Sequence, residues 1–462
     1  MKKILVFILI VCSHAKADVR LPAILGDHMV LQQRTQVRLW GWSAPSEMVR
    51  IKAQWNNGWD SVRASGSGRW ELKIWTPAAG GPYELMIKGN NEIVLKDVMI
   101  GEVWVCGGQS NMEWSGSQRL PQSLEEAPNA NNTNIRFFYV PKTTSDHPQD
   151  DVHAKWVVCS PEEMRKFSAI GYFFAKQVNA HTSYPMGMIS SNWGGTPAET
   201  WTPANVISAD SVLSDIASKR EANSWWATEP ATAYNAMIWP ISKFNIAGVL
   251  WYQGESNVGT YSTYQSLFTQ MIGGWRKAWG YVFPFYYVQI APFDYGDHIN
   301  GALLRETQSK SQSYPRTGMV VISDLVDNVK DIHPVNKKDV AARLANMAMA
   351  QLYGKNTGPY VSPSFRSMAI EKDKIRISFK NAGSGLISKG GEPNSFFICG
   401  EDKVFRPAQA KIEGNEVVVW SKDVLKPVAV RFGFTNTSTP NLFSKEGMPV
   451  DLFRTDNYAS ER

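Results

Sequence analysis

Cysteine is scarce in this chain, charge is thin, and long apolar runs are missing after the first residues. Of four cysteines, Cys12 falls in an N-terminal segment that reads as a leader, and Cys106, Cys159 and Cys399 remain. Three thiols at such wide spacings make neither a disulfide framework nor a zinc site, so mostly buried free thiols are expected, with a single bridge in an oxidising compartment as the alternative. Charged residues make up 19% of the chain, and no basic tract stands out. That excludes the cationic footprint of a nucleic-acid partner. No stretch beyond the leader approaches about eighteen consecutive apolar residues, so no integral membrane span is expected. Internal repeats and low-complexity tracts are absent too.

What the sequence does have is length, aromatics and a processing signal. A chain of 462 residues accommodates two or three domains, and aromatics at 12%, with 18 Trp, indicate a folded protein with large cores. Tryptophans also stack on sugar rings, which admits a carbohydrate partner without requiring one. Met1-Lys2-Lys3 is basic, Ile4 to Val11 is apolar, and Ala15-Lys16-Ala17 fits a small-residue cleavage site. Residues 1–17 therefore read as a signal peptide, and the mature chain is expected to be exported, periplasmic or secreted. Loss of Lys2, Lys3 and Lys16 takes the formal charge from +6 to +3.

Three regions follow. Residues 18–96 alternate apolar and polar side chains in short runs such as Val37 to Trp42 and Trp70 to Ile74, as in a small β-sandwich-like module. From 97 to 355 strands alternate with helices, the pattern of an α/β domain whose parallel sheet is flanked by helices. Ser160-Pro161-Glu162-Glu163 reads as a capping box, and Met164, Phe167, Ile170, Phe174 and Val178 then recur at helical spacing. Residues 356–462 are β-rich again, with clean alternation in Lys374 to Phe379 and Glu416 to Trp420.

The chemistry concentrates after strands. Val98 to Val105 reads as a buried strand, Gly107-Gly108 turn it, and Ser110 follows where a helix can open. Such a turn exposes a hydroxyl beside free backbone N–H groups, which suits a nucleophile; the competing reading is a plain Gly-Gly turn with a Ser cap. A base must come from seven histidines. His333 lies past the last strand, stiffened by Pro334 and close to Asp331; a surface loop histidine is the alternative. Trp193-Gly194-Gly195-Thr196 offers close-approaching N–H donors or a simple tight turn. Gln253 offers a side-chain amide suited to an oxyanion. Glu255 reads better as a buried structural acceptor than as a general base. Trp114, Trp193 and Trp201 flank these clusters and suit either sugar stacking or core packing.

Together the clusters resemble the sialate O-acetylesterase family of the SGNH-hydrolase superfamily. Gly108 to Trp114 resembles its nucleophile block, Trp193 to Thr196 its glycine block, Trp251 to Asn257 the third and Asp331 to Pro334 the histidine block. Leu21 to Gln32 and the segment from Asn441 to Asp456 also look familial. The resemblance implies an SGNH-hydrolase-like fold, Ser110 as nucleophile and His333 as base. It implies an oxyanion hole from the Ser110 N–H, the Gly195 N–H and the Gln253 amide, and hydrolysis of O-acetyl groups on a sugar with no metal or organic cofactor. The superfamily often carries Asp three residues before the histidine, where this chain has Lys330. Asp331 is then the expected third member, with Asp324, Asp327 or a backbone carbonyl as alternatives. An O-acetylated carbohydrate is the expected partner, sialic acid first and xylan or another plant polysaccharide second. A sugar-binding protein on an esterase scaffold and a serine peptidase are the rival readings.

Overall fold

The computed structural model of the protein describes residues 18–458; the expected signal peptide, residues 1–17, lies outside the described residues. One strand, Glu92–Gly108, runs for 17 residues through the centre of the molecule. Its first part pairs antiparallel with Gly80–Lys88 and parallel with Val30–Gln32. Its second part lies between Met186–Asn192 and Gly248–Tyr252, parallel to both. The boundary placed at 96 and 97 therefore falls inside a continuous strand. No proline interrupts the run, and its glycine at 101 sits where a Cβ would come within 2.0 Å of the Pro185 carbonyl. The N-terminal module shares both a sheet and a hydrophobic core with the region that follows.

The catalytic-type sheet runs in the order Thr317–Val320, Phe285–Val288, Gly248–Tyr252, Glu92–Gly108, Met186–Asn192, Ile135–Tyr139, with Trp156–Val158 as an antiparallel edge. The other pairings are parallel, as expected from the alternation of strands and helices. Both faces are covered, which is why Gly248–Tyr252 is apolar and buried throughout. Val249 and Trp251 enter the core beneath the helix Tyr261–Trp279, whereas Leu250 and Tyr252 enter the core beneath Ala169–Thr182 and Lys337–Leu352. Each Leu, Phe or Trp fully buried there contributes about 1.5–3 kcal/mol of apolar transfer.

Two local details differ from the sequence pattern. The spacing from Met164 to Val178 belongs to two helices, Pro161–Lys166 and Ala169–Thr182, separated where Phe167 turns extended and Ser168 caps the second by accepting from the Gly171 N–H. Helix Asn300–Ser311 leaves little apolar signature because it buries Arg305 and Gln308 alongside Leu304. Beyond residue 356 small antiparallel sheets enclose a core of their own around Ile375, Ile377, Val417, Val419 and Phe432. They dock on the α/β region through Asp451, which accepts from Gln289 Nε2 at 2.9 Å and Ser309 Oγ at 2.7 Å, and through the Arg454–Glu306 ion pair. Cys106, Cys159 and Cys399 are buried free thiols, as expected. Among the described residues no helix is long and apolar enough to cross a membrane.

Candidate functional site

At the end of the central strand the backbone turns through Gly108 at φ +128°, where a Cβ would lie 2.2 Å from the Tyr252 carbonyl oxygen of the neighbouring strand. Only glycine fits, and the turn delivers Ser110 as the first residue of the short helix Ser110–Glu113. Ser110 Oγ lies 2.9 Å from His333 Nε2, although 223 residues separate them in the chain. The two side chains that the sequence singled out for nucleophile and base are thus in hydrogen-bond contact.

His333 is held from several sides. Its backbone N–H donates to Asp331 Oδ1 at 2.9 Å, and Asn111 Nδ2 donates to the Ile332 carbonyl at 3.0 Å, tying the histidine loop to the serine helix. The Trp114 ring stacks on the imidazole. Asp331 Oδ1 is 3.7 Å from His333 Nδ1, an ion-pair distance longer than a hydrogen bond. Asp324 is engaged elsewhere, accepting from both terminal nitrogens of Arg343 at 2.8 and 2.7 Å, and Asp327 is exposed. Asp331 is therefore the acidic partner this loop presents. Burial, and then the charge of Lys337, lowers the His333 pKa below its ordinary 6.5, against the pull of Asp331 and Glu113. The imidazole is kept neutral near pH 7 and free to take a proton.

The glycine block faces the same cleft. Gly194 N–H donates to Glu113 Oε2 at 2.6 Å, and Glu113 in turn pairs with Lys142. Gly195 has φ +80°, and a Cβ there would sit 2.2 Å from the Trp226 ring. Among the described residues no acceptor takes the Gly195 N–H or the Ser110 N–H. Two unpaired donors beside a nucleophile are what a tetrahedral oxyanion needs.

Gln253 departs from the expected role. It is fully buried, its Nε2 donates to Asn257 Oδ1 at 2.7 Å and to the Thr196 carbonyl at 3.4 Å, and its Oε1 accepts from Tyr264 Oη at 3.0 Å. With its amide committed, it braces the glycine turn from beneath rather than lining the cleft. Glu255 behaves as expected of a structural acceptor: buried, it takes Asn111 Nδ2 at 2.6 Å.

The cleft around Ser110 has a volume of about 510 Å³ and is walled by Trp114, Trp193, Trp225 and Trp226. Trp201, expected as a third stacking residue, is instead core: it is fully buried, and its Nε1 donates to Thr196 Oγ1 at 2.9 Å. Trp225 and Trp226 were not singled out from sequence, because they lie in a polar segment far from any strand end. Lys337 was also missed. It is almost wholly buried, donates to Asn111 Oδ1 at 2.6 Å, and lies over the Trp114 and Tyr252 rings. Burial lowers its pKa to about 7 despite the attraction of Glu255 and Asp331. Among the described residues no group of three or more His, Cys, Asp or Glu side chains is arranged to hold a metal ion.

The family described as carbohydrate esterase, sialic acid-specific acetylesterase, matches residues 100–351. Sialate O-acetylesterases of Homo sapiens and Mus musculus are each 28% identical, over 74% and 78% of this chain and 73% and 78% of their own lengths. The crystal structure of a carbohydrate acetylesterase from Xanthomonas citri, 37% identical, superposes with a TM-score of 0.87, covering 95% of this chain and all of that one.

Proposed function

The chain belongs to the sialic acid-specific acetylesterase family of carbohydrate esterases, and from that premise we propose that it removes O-acetyl groups from sugars, sialic acids foremost, by acyl transfer through Ser110. The observation that carries the reading is the 2.9 Å contact between Ser110 Oγ and His333 Nε2, beside the unpaired N–H groups of Ser110 and Gly195.

In this mechanism Ser110 Oγ attacks the acetyl carbonyl carbon while His333 Nε2 takes the hydroxyl proton. The carbonyl oxygen becomes an oxyanion that accepts from the Ser110 and Gly195 N–H groups. The ester C–O bond breaks, His333 returns the proton to the departing sugar hydroxyl, and acetyl-Ser110 remains. Water then attacks that ester, giving its proton to His333. Acetate leaves as Ser110 recovers the proton. The positive charge formed on the imidazole is opposed by Asp331 at 3.7 Å and shielded on one face by Trp114. Export is part of the proposal and is supported by the basic, apolar and small-residue pattern of residues 1–17.

Acetate release from 9-O-acetylated sialic acid, acetylated xylan and acetylated manno-oligosaccharides tests the assignment. Turnover of the sialic acid ester with the highest kcat/KM is expected. Preference for xylan would move the substrate to plant polysaccharides, and turnover of none would refute the sugar O-acetyl ester as substrate.

A further inference from the structure

A second cavity of about 280 Å³ adjoins the catalytic cleft and shares Trp193, Trp225 and Trp226 with it. Trp225 is 81% exposed, and with the partly exposed Trp193 and Trp226 it forms a contiguous aromatic patch beside the cleft, the kind of surface that marks a ligand-binding groove. Its segment is pinned at both ends. Arg220 donates to the Ser256 carbonyl and to Glu199 Oε1, both at 2.9 Å, and the Ala231 N–H donates to the Glu199 carbonyl at 3.0 Å. Within it the Trp225 backbone N–H donates to Asn223 Oδ1 at 2.8 Å, so less backbone freedom remains to be lost when a ligand meets the indole.

The rest of the wall is small and polar, including Thr144, Asn223, Thr228 and Thr232, and Glu229 is its one charged side chain. Hydroxyl and amide groups around a flat aromatic face match a pyranose ring, which offers C–H groups to the indole and hydroxyls to the rim. The charge is informative as well. A carboxylated sugar calls for a cation, yet no Lys, Arg or His lines this cavity.

We propose that this cavity is a second sugar subsite that takes a neutral ring next to the acetylated one. The preferred substrate is then an O-acetylated oligosaccharide or polysaccharide, not a free acetylated monosaccharide. The proposal rests on the O-acetylesterase reading of Ser110 and extends it to the neighbouring sugar.

The test compares kcat/KM for linked and free forms of one acetylated sugar: 9-O-acetylated sialyllactose against 9-O-acetylated sialic acid, and acetylated xylotetraose against acetylated xylose. p-Nitrophenyl acetate, read alongside, reports on the ester-cleaving centre itself. For whichever sugar is turned over, the linked form is expected to be favoured by roughly tenfold, the scale of one aromatic stacking contact. Trp225→Ala should erase that ratio, and Trp225→Phe should keep most of it. Equal kcat/KM for linked and free sugar, or a preference that survives Trp225→Ala, overturns the subsite while p-nitrophenyl acetate turnover leaves the esterase standing. Absence of turnover on every ester, p-nitrophenyl acetate included, overturns both.

Discussion

The indole of Trp114 lies flat on the imidazole of His333, with ring centroids 4.2 Å apart and planes inclined by 18°. The same indole carries the Lys337 ammonium 5.7 Å from its ring. One ring therefore contacts both the base and a buried cation. The stack also sets the direction in which Nε2 points, toward Ser110 Oγ.

Trp114→Ala should lower kcat about tenfold by loosening the imidazole. It should also raise the pKa that governs the acid limb of kcat/KM, because burial is the first cause of the lowered His333 value. A pH–rate profile checks both. An unchanged acid limb would mean that the stack does not desolvate the base.

Lys337 makes a prediction about stability. Its pKa is about 7 in the folded protein and about 10.4 in the unfolded chain. Between these values the unfolded state binds the extra proton, so this group's contribution to stability rises with pH from about 7 to about 10. Lys337→Met should abolish that rise, seen as the difference between wild type and variant in urea unfolding at pH 7 and pH 9. Removing the cation should also move the acid limb of kcat/KM to higher pH, since Lys337 lowers the His333 pKa. A constant difference in stability across that pH range would place the titration elsewhere.

Asp331 acts in the opposite sense. Its charge favours the imidazolium, so Asp331→Asn should shift the acid limb to lower pH while reducing kcat by about 10²-fold through lost stabilisation of the transition-state charge. Asp324→Asn, whose carboxylate serves Arg343, should leave the acid limb where it is. A kcat within a few-fold of wild type in folded Asp331→Asn would leave Ser110 and His333 working as a dyad.

How much of this was legible in the sequence depends on how local each signal is. Ser110 could be read because a strand, two glycines and a helix start are contiguous, and His333 because Pro334 and Asp331 mark its loop after a strand. The parallel sheet followed from alternating elements. Gln253 could not be oriented from its position. It lies just past the strand, and which way its amide turns depends on Asn257, Thr196 and Tyr264 together. Trp201 and Trp225 are chemically identical, and the first is core because its ring packs edge-on against Trp251 and its Nε1 donates to Thr196 Oγ1. Lys337 opens a helix and reads as surface. Its buried partner Asn111 is 226 residues away in the chain, a pairing with no local trace.

If Ser110 is the nucleophile, its removal must stop the chemistry, and acetate release by Ser110→Ala is the decisive measurement. A loss of on the order of 10³-fold or more in kcat on an O-acetylated sugar is expected, with fold and sugar binding retained. Activity within tenfold of wild type in the folded variant would contradict it.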